Sequence, residues 1–252
     1  MTYTWEEGPV FCFTADIDWA SEEVIQYSHQ TMSADDLKLT YFNTNPSPYL
    51  TSLSQSSRVR LLIHPNFLPE SSHGNSYDEV MDYCKNLVPD ADGFRTHRYF
   101  EVNDIMDKFV ERGFKFVSNH CTRCETQIKP LRHRSGLVSF PIFLEDGGYL
   151  IMDPSLDFSA LTDRLKSPGL KIINFHPAHM AFNTPDFGYT RRVKDSMSRE
   201  AWNNIGETEL RRIEYKGIGV RNIIQKIIEF AADNHFPMRS IHEVYREYVS
   251  AA

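Results

Sequence analysis

The stretch Val10-Phe-Cys-Phe-Thr-Ala-Asp-Ile-Asp-Trp19 begins with apolar residues and ends with two acidic side chains before a tryptophan. A short apolar run of this kind predicts a buried β-strand, here over residues 9–17. Side chains alternate along a strand, so Asp16 and Asp18 share one face, with their carboxylates about 7 Å apart. Two like charges at that distance repel each other unless a cation lies beside them. The pattern favours a metal ion bound by one acid, with the other acid free to transfer protons.

Strand and helix patterns alternate along the rest of the chain. Further strands are predicted at residues 37–43, 58–64, 114–118, 137–143, 149–152 and 170–175. Helices are predicted at residues 21–31, 76–87, 102–112, 156–166, 218–232 and 240–248. Such alternation indicates an α/β protein with a mainly parallel sheet. We expect residues 1–252 to form one catalytic domain, with residues 217–252 as closing C-terminal helices.

Composition excludes several classes of protein. A net charge of −7 without a block of basic residues argues against nucleic-acid binding. No apolar run reaches 18 residues, so we expect no membrane span. The N-terminus, Met-Thr-Tyr-Thr-Trp-Glu-Glu, lacks the basic and apolar parts of a signal peptide, which favours a cytoplasmic protein. Cys121 and Cys124 form a Cys-x-x-Cys pair, interpreted either as an ordinary loop pair or as a zinc clip or redox pair.

Histidines directly follow two of the predicted strands. In parallel α/β folds the catalytic groups lie at the carboxyl ends of the strands, so His64 and His176 are expected to meet the two acids of the first strand. One aspartate and two histidines with open positions suit a catalytic divalent metal. We therefore predict one of the two acids and His64 as metal ligands. His73, on the loop that follows His64, is predicted as the third ligand.

Other polar and aromatic side chains are candidates for supporting roles. His176 is the candidate general acid, because the pKa of histidine lies near neutral pH, and His179 is expected to support it or to face the substrate. Arg95 is a candidate partner that keeps a carboxylate ionised, with a surface salt bridge as the alternative. Asp146 is a candidate for orienting a histidine, with an ordinary turn as the alternative. Trp19 is a candidate wall of a sugar-sized pocket.

Four segments resemble, in order, the motifs of polysaccharide deacetylases of the NodB-like type (carbohydrate esterase family 4), and specifically the WbmS-like branch. The segments are Phe13-Thr-Ala-Asp-Ile-Asp-Trp19, His64-Pro-Asn-Phe-Leu-Pro-Glu-Ser-Ser-His-Gly74, Gly93-Phe-Arg-Thr-His97 and Phe175-His-Pro-Ala-His179. The resemblance covers roughly residues 9–185. It implies a deformed (β/α)7 barrel, metal-dependent hydrolysis of an N-acyl group on a sugar, and a connection with surface-polysaccharide biosynthesis.

The resemblance also implies roles for individual residues. Asp16 matches the catalytic base, Asp18 the metal-binding aspartate and His64 the first metal-binding histidine. Arg95 matches the arginine that pairs with the base, and His176 matches the catalytic acid.

The sequence departs from the family pattern at one ligand. The second metal-binding histidine is expected four residues after the first, where this chain has Leu68, so His73 is expected to replace it. Asp146 falls where the family has an acid that tunes the catalytic histidine. Asn66 and His97, within the matched motifs, are expected to contact the substrate.

The sequence therefore predicts a metal-dependent hydrolase of a linear amide, which removes an acyl group, usually acetyl, from an amino sugar or sugar precursor. Zinc is the expected cofactor, with iron, cobalt or nickel as alternatives, and the oligomeric state is left open. One alternative is a deacetylase-like protein that binds sugar without catalysis. Another is a phosphatase of the haloacid dehalogenase type, which uses an Asp-x-Asp motif with magnesium, although Trp19 departs from that motif.

Overall fold

The computed structural model describes residues 4–32 and 37–251. The strands are β1 (Pro9–Asp16), β2 (Leu39–Asn43), β3 (Val59–Ile63), β4 (Gly93–Phe94), β5 (Phe116–Val117), β6 (Leu131–Arg132), β7 (Val138–Ser139), β8 (Leu144–Glu145) and β9 (Gly169–Phe175). The helices are α1 (Glu22–Gln30), α2 (Pro48–Leu53), α3 (Tyr77–Leu87), α4 (Asn103–Glu111), α5 (Asp146–Met152), α6 (Thr162–Lys166), α7 (Pro177–Phe182), α8 (Tyr189–Asp195), α9 (Arg199–Asn203), α10 (Glu207–Ile213), α11 (Val220–Asp233) and α12 (Ile241–Ala251). Short 3-10 turns lie at His97–Tyr99 and Phe158–Leu161. Residues 1–3, which belong to the N-terminal stretch considered above, lie outside the described residues, as does residue 252.

One curled sheet organises the described residues. Its strand order is β6-β7-β5-β4-β3-β2-β1-β9-β8, and every pair of neighbours is parallel except β6 with β7. The loop after β5 also bridges to the segment before β8, through Cys121 and Ile142. The carboxyl ends of the parallel strands therefore point to the same end of the sheet. This is the end at which the predicted site residues are expected.

The first strand lies at the centre of the core. All eight residues of β1 are buried, and β1 pairs with β9 on one side and with β2 on the other. Because every one of its residues is buried, the strand has no solvent-facing side, and its sequence is continuously apolar up to Thr14. α11 buries Ile223, Ile224, Ile227 and Ile228, which is the stripe expected of an amphipathic helix against a sheet.

The structure agrees with the predicted elements except near residue 150. Ser21 caps α1 as expected, because its side chain accepts a hydrogen bond from the backbone N–H of Val24 at 3.3 Å. The predicted strand 149–152 is wrong, since these residues belong to α5. The Glu145 carboxylate begins that helix by accepting hydrogen bonds from the N–H groups of Gly147 and Gly148. Helices α2, α7, α8, α9 and α10 and the two-residue strands β4, β6 and β8 had no counterpart in the sequence prediction. Within the described residues, no helix is long and apolar enough to cross a membrane.

Candidate metal centre and catalytic residues

Four strand ends converge on the candidate site. Asp16 is the last residue of β1, and His64 directly follows β3. Arg95 directly follows β4, and His176 directly follows β9. The predicted convergence of these side chains is thus a consequence of parallel strands that end on the same side of the sheet.

Asp18, His64 and His97 form a compact group of possible metal ligands. The Asp18 Oδ1 atom lies 3.2 Å from His64 Nε2 and 3.1 Å from His97 Nδ1. His64 Nδ1 donates a hydrogen bond to the carbonyl oxygen of Arg95 at 2.7 Å, which leaves the lone pair of Nε2 directed at Asp18 in the neutral ring. A lone pair facing a carboxylate is repulsive unless a cation or proton lies between them. One carboxylate and two imidazoles are a donor set that suits zinc and related divalent ions, so these residues fit a metal.

The electrostatics of Asp18 agree with a cation site. Burial by itself would raise the pKa of this carboxyl. When they carry a proton on the nitrogen that faces Asp18, His64 and His97 hydrogen-bond to this carboxylate, which outweighs the burial and holds its pKa well below the usual value. Asp18 is therefore ionised at neutral pH and available as a ligand.

His73 does not join this group, in contrast to the sequence prediction. Its Nε2 donates to the carbonyl oxygen of Thr44 at 2.8 Å, and its Nδ1 accepts from the backbone N–H of Asn66 at 3.1 Å. Burial lowers the pKa of His73 to about 4, so the ring is neutral with both nitrogens already used. The ring also stacks on Tyr83, with centroids 4.7 Å apart. His73 thus contacts its own loop, and His97, expected only to contact substrate, is the third member of this group of possible metal ligands.

Asp16 is held as an ionised carboxylate by two neighbours. Its Oδ1 accepts a hydrogen bond from Arg95 Nη1 at 2.8 Å, and its Oδ2 accepts one from Asn174 Nδ2 at 2.9 Å. Burial would raise the pKa of Asp16, but the Arg95 guanidinium holds it below the usual value. Asp16 Oδ2 also lies 4.0 Å from His64 Nε2, so this carboxylate borders the Asp18–His64–His97 group without belonging to it.

Arg95 is completely buried and its donors are bound. Its Nε donates to the carbonyl oxygen of Ser118 and its Nη2 to the Ser118 hydroxyl, both at 2.8 Å. Its guanidinium also lies 4.2 Å from the centroid of the Phe42 ring. The structure therefore places Arg95 beside Asp16, rather than in a surface salt bridge. Asn174 was missed in the sequence, although a polar residue inside the apolar strand β9, two positions before His176, was a detectable signal.

His176 forms a bidentate pair with Asp146. The Asp146 carboxylate accepts one hydrogen bond from His176 Nδ1 at 2.7 Å and another from the His176 backbone N–H at 2.6 Å. Burial would lower the pKa of His176, but the Asp146 charge outweighs it and raises the pKa well above the usual value. His176 Nε2 faces the Asp18–His64–His97 group and lies 3.7 Å from Asp18 Oδ2. The protonated ring can therefore release the Nε2 proton into the site while Asp146 keeps the Nδ1 proton in place.

Glu145 is a second acid beside His176. Its Oε1 lies 3.7 Å from His176 Nδ1. Burial, followed by the neighbouring charge of Asp146, raises the pKa of Glu145 to about 7. Glu145, Asp146 and His176 also qualify by distance as possible metal ligands. The short hydrogen bonds that His176 donates to Asp146 favour an acid–histidine pair at this position over a metal site.

The remaining predicted residues surround the site. The Trp19 ring lies edge-on to His97, with centroids 5.3 Å apart. The His179 ring lies 5.5 Å from that of His176, and its buried Nδ1 has no hydrogen-bond partner among the described residues. Asn66 Oδ1 accepts a hydrogen bond from the Leu68 N–H at 3.1 Å, so this amide braces its own loop.

Four of the ten non-glycine residues with a positive φ angle among the described residues lie in the two segments that carry Asp18 and His97. Asp18 and Trp19 have φ angles of 44° and 56°, in the left-handed region. Arg98 and Tyr99, directly after His97, have φ angles of 56° and 55°. Residues other than glycine adopt this conformation at a cost, and such positions are common at functional sites.

Comparisons with known proteins relate the chain to one family. A family model described as WbmS-like polysaccharide deacetylase matches residues 13–194. The chain is similar to the crystal structure of a Bordetella bronchiseptica protein described as a polysaccharide deacetylase involved in O-antigen biosynthesis. The identity is 27% and the TM-score 0.74, with 87% of this chain and 89% of that chain covered. No curated protein matches the chain.

Two more distant structures share the fold alone. A polysaccharide deacetylase from Mycobacterium smegmatis has 12% identity and a TM-score of 0.51, with 96% of both chains covered. A 4-alpha-glucanotransferase from Thermococcus litoralis has 11% identity and a TM-score of 0.50, with 94% of this chain and 39% of that chain covered. The similarity to the Bordetella structure confirms the predicted α/β fold of the polysaccharide deacetylase type. Since the family model covers more than half of its length, the chain belongs to the WbmS-like polysaccharide deacetylases.

Proposed function

We propose that this protein is a metal-dependent deacetylase that hydrolyses an N-acyl group, usually acetyl, on an amino sugar or sugar precursor. The family and the Bordetella structure support deacetylase activity on sugars. The observation that carries the finer proposal is the placement of an ionised Asp16 and a protonated His176 on two sides of the Asp18–His64–His97 group. Amide hydrolysis needs a base for the attacking water and an acid for the leaving amine, and this arrangement offers both.

Asp18, His64 and His97 would hold the metal ion, for which zinc is proposed from the ligand types, with iron, cobalt or nickel as alternatives. When bound, such an ion would lower the pKa of the attacking water and would polarise the acyl carbonyl. The protein fixes the ligands before binding, because the carbonyl oxygen of Arg95 sets the tautomer of His64.

Asp16 acts as the general base. Arg95 and Asn174 each use one lone pair of its carboxylate and fix the plane of the group. The remaining lone pairs are free to accept the proton of the attacking water. Arg95 itself is a positioning residue, because its donors are occupied inside the protein and it has no exposed surface.

His176 acts as the general acid. It donates the Nε2 proton to the nitrogen of the leaving amine when the carbon–nitrogen bond breaks, and solvent later restores this proton. Asp146 stabilises the charged ring before transfer and keeps its orientation afterwards. The products are a carboxylate and a free amino sugar. The similarity to a protein described as involved in O-antigen biosynthesis supports a precursor of a surface polysaccharide as substrate.

The two alternative functions receive less support. A protein that only binds sugar was considered because Leu68 stands where a second metal-binding histidine was expected, but His97 supplies the third donor. A phosphatase of that type has no need for histidines, whereas His64, His97 and His176 lie around the second acid, Asp18, of the Asp-x-Asp motif.

The test is the Asp16→Asn variant, assayed for acetate release from a panel of N-acetylated nucleotide sugars after loading with zinc. We expect wild-type protein to release acetate and the variant to be slower by about 10²–10⁴-fold, the usual contribution of a general base. Its zinc content should be unchanged, because Asp16 is not a proposed ligand. Asp195→Asn, which alters an exposed ion pair with Arg191, is the matched control and should retain full activity. An active Asp16→Asn variant would show that the base is assigned incorrectly.

A further inference from the structure

Thr14 and Asn174 form a buried polar pair one step deeper in the sheet than the candidate site. They are register partners on the parallel strands β1 and β9. Thr14 lies two residues before Asp16, and Asn174 lies two residues before His176. Since side chains alternate along a strand, each shares a sheet face with the candidate catalytic residue of its own strand. Both side chains are 0% exposed, so any effect of this pair on the reaction must pass through other side chains.

Asn174 joins Arg95 to the proposed base through the two ends of its amide. Its Oδ1 accepts a hydrogen bond from Arg95 Nη1 at 2.5 Å, and its Nδ2 donates to Asp16 Oδ2 at 2.9 Å. Of the two oxygens of Asp16, Oδ2 is the one that lies 4.0 Å from His64 Nε2 and so borders the group of possible metal ligands. The Asn174 amide is thus bound to the carboxylate oxygen that faces the candidate site.

The Thr14 hydroxyl fixes the plane of this amide. A reversed amide would turn its NH₂ group to the Arg95 donors and its oxygen to the ionised Asp16, and both contacts would be repulsive. The terminal torsion of an asparagine side chain has only a broad preference, so one partner does not hold the plane. Thr14 supplies a second donor to Asn174 Oδ1, at 2.9 Å, and its oxygen lies 3.1 Å from Arg95 Nη1. The Ile173 carbonyl oxygen is a more distant acceptor for this hydroxyl, at 3.3 Å.

Thr40 provides a comparison within the same sheet. It is the register partner of Thr14 on the other neighbouring strand, β2, and it is equally buried. Its hydroxyl oxygen has no hydrogen-bond partner among the described residues. Of these two threonines, Thr14 is the one bonded to the network that holds Asp16. A buried hydroxyl at this depth of the sheet is therefore not a general requirement of the fold, and the bonds of Thr14 need another explanation.

We propose that Thr14 is a positioning residue for the reaction, whose hydroxyl holds the Asn174 amide so that the amide directs Asp16 Oδ2 at the proton of the attacking water. This inference rests on the proposed deacetylase function and adds a residue that acts two contacts away from the base. A base is effective only when its lone pair is aimed at the proton that it accepts, so a small rotation of the carboxylate lowers the rate. Loss of the Thr14 hydroxyl should therefore lower kcat and leave KM and zinc binding unchanged.

The experiment compares Thr14→Val with Thr40→Val, because both substitutions replace a buried hydroxyl by a methyl group of similar size. The zinc-loaded proteins are assayed for kcat and KM on N-acetylated nucleotide sugars. We expect Thr14→Val to lower kcat about 10-fold at an unchanged KM, and Thr14→Ser, which restores the hydroxyl, to recover most of this loss. Thr40→Val should keep the wild-type kcat. A wild-type kcat in Thr14→Val, or an equal loss in Thr40→Val, would overturn the inference and leave the deacetylase function intact.

Crystal structures of the same variants give a readout that does not depend on turnover. In Thr14→Val the distance from Asn174 Nδ2 to Asp16 Oδ2 should lengthen beyond about 3.2 Å, the upper end for such a hydrogen bond, and in Thr40→Val it should not change. An unchanged distance in Thr14→Val would overturn the inference even if kcat falls. Thr14→Ala should show the same loss of kcat and the same longer distance, and it replaces Thr14→Val if the valine variant does not fold. A wild-type protein that releases no acyl group from any substrate would contradict the deacetylase function, and this inference with it.

Discussion

Replacing His97 or His73 by alanine tests whether His97 is the proposed metal ligand and whether His73 has a structural role. Zinc at about 100 times its Kd stabilises a folded protein by about 2.7 kcal/mol. In a chain of this size each kcal/mol changes the melting temperature by about 2–4 °C, so zinc should raise the wild-type value by about 5–10 °C. Loss of a residue that only hydrogen-bonds to a metal ligand weakens metal binding by up to about 100-fold. Removal of one of the three ligands themselves should therefore weaken zinc binding by at least about 100-fold. At the same zinc concentration His97→Ala should then gain only about 0.4 kcal/mol, and its melting temperature should hardly respond.

His73→Ala should show the opposite behaviour. The variant loses the hydrogen bonds to Thr44 and Asn66, each contributing about 1 kcal/mol, and the stacking on Tyr83. Its melting temperature without zinc should therefore fall by several degrees, whereas the rise on adding zinc should match that of the wild type. The assay is thermal unfolding with and without zinc, combined with the metal content of dialysed protein. Loss of the zinc response in His73→Ala and its retention in His97→Ala would refute the ligand assignment.

Three other predictions concern the acid, the strained backbone and the buried arginine. The charge of Asp146 raises the pKa of His176, so the stabilisation from this pair is present at low pH and is lost as pH rises through the raised pKa. Asp146→Asn should therefore move the alkaline limb of kcat/KM to lower pH, and a pH–rate profile with an unmoved limb would contradict the pairing. Arg98 has a φ of 56°, so Arg98→Gly should raise the free energy of unfolding by about 1 kcal/mol in urea titrations, whereas a loss of stability would show that no strain is stored there. Arg95→Lys should lower the free energy of unfolding by about 3 kcal/mol, because lysine cannot replace its buried hydrogen bonds, and an unchanged urea midpoint would count against this.

The sequence predicts the long strands β1 and β9 because they are largely apolar runs that end in polar residues, whereas β4, β6 and β8, of two residues each, were not predicted. β1 and β9 are both buried along their whole length, and their eight and seven residues are a usual length for a strand and short for a helix. The segment 149–152 is equally apolar but is helical. It is short, and the cap that begins the helix is a glutamate rather than one of the residues that usually mark an N-terminus. Local pattern cannot decide such a case, which depends on what the segment packs against.

The sequence predicts that the candidate catalytic residues meet at the strand ends, but it does not decide between His73 and His97 as the candidate third ligand. Asp16, His64 and His176 are each fixed at the end of a strand, so the fold alone determines where their side chains meet. His73 and His97 both lie in irregular segments, in which residue spacing does not determine the direction of a side chain. Thr44 provides the carbonyl group that holds His73 away from Asp18. This carbonyl group belongs to a loop that is distant in sequence, and no motif around His73 reveals it.

The proposed acid and base need opposite protonation states within one small site, and the structure gives each its own partner. If Asp16 and His176 were paired directly, the proton would be shared between them and neither could act on the substrate. Arg95 instead holds Asp16 ionised, and Asp146 holds His176 protonated. Asp18 lies beside His176 Nε2 and is itself bound by two histidines. Because the two ion pairs use different partners, Asp146→Asn should change the protonation of the acid and leave Asp16 ionised by Arg95, so that only the alkaline limb of the pH profile moves.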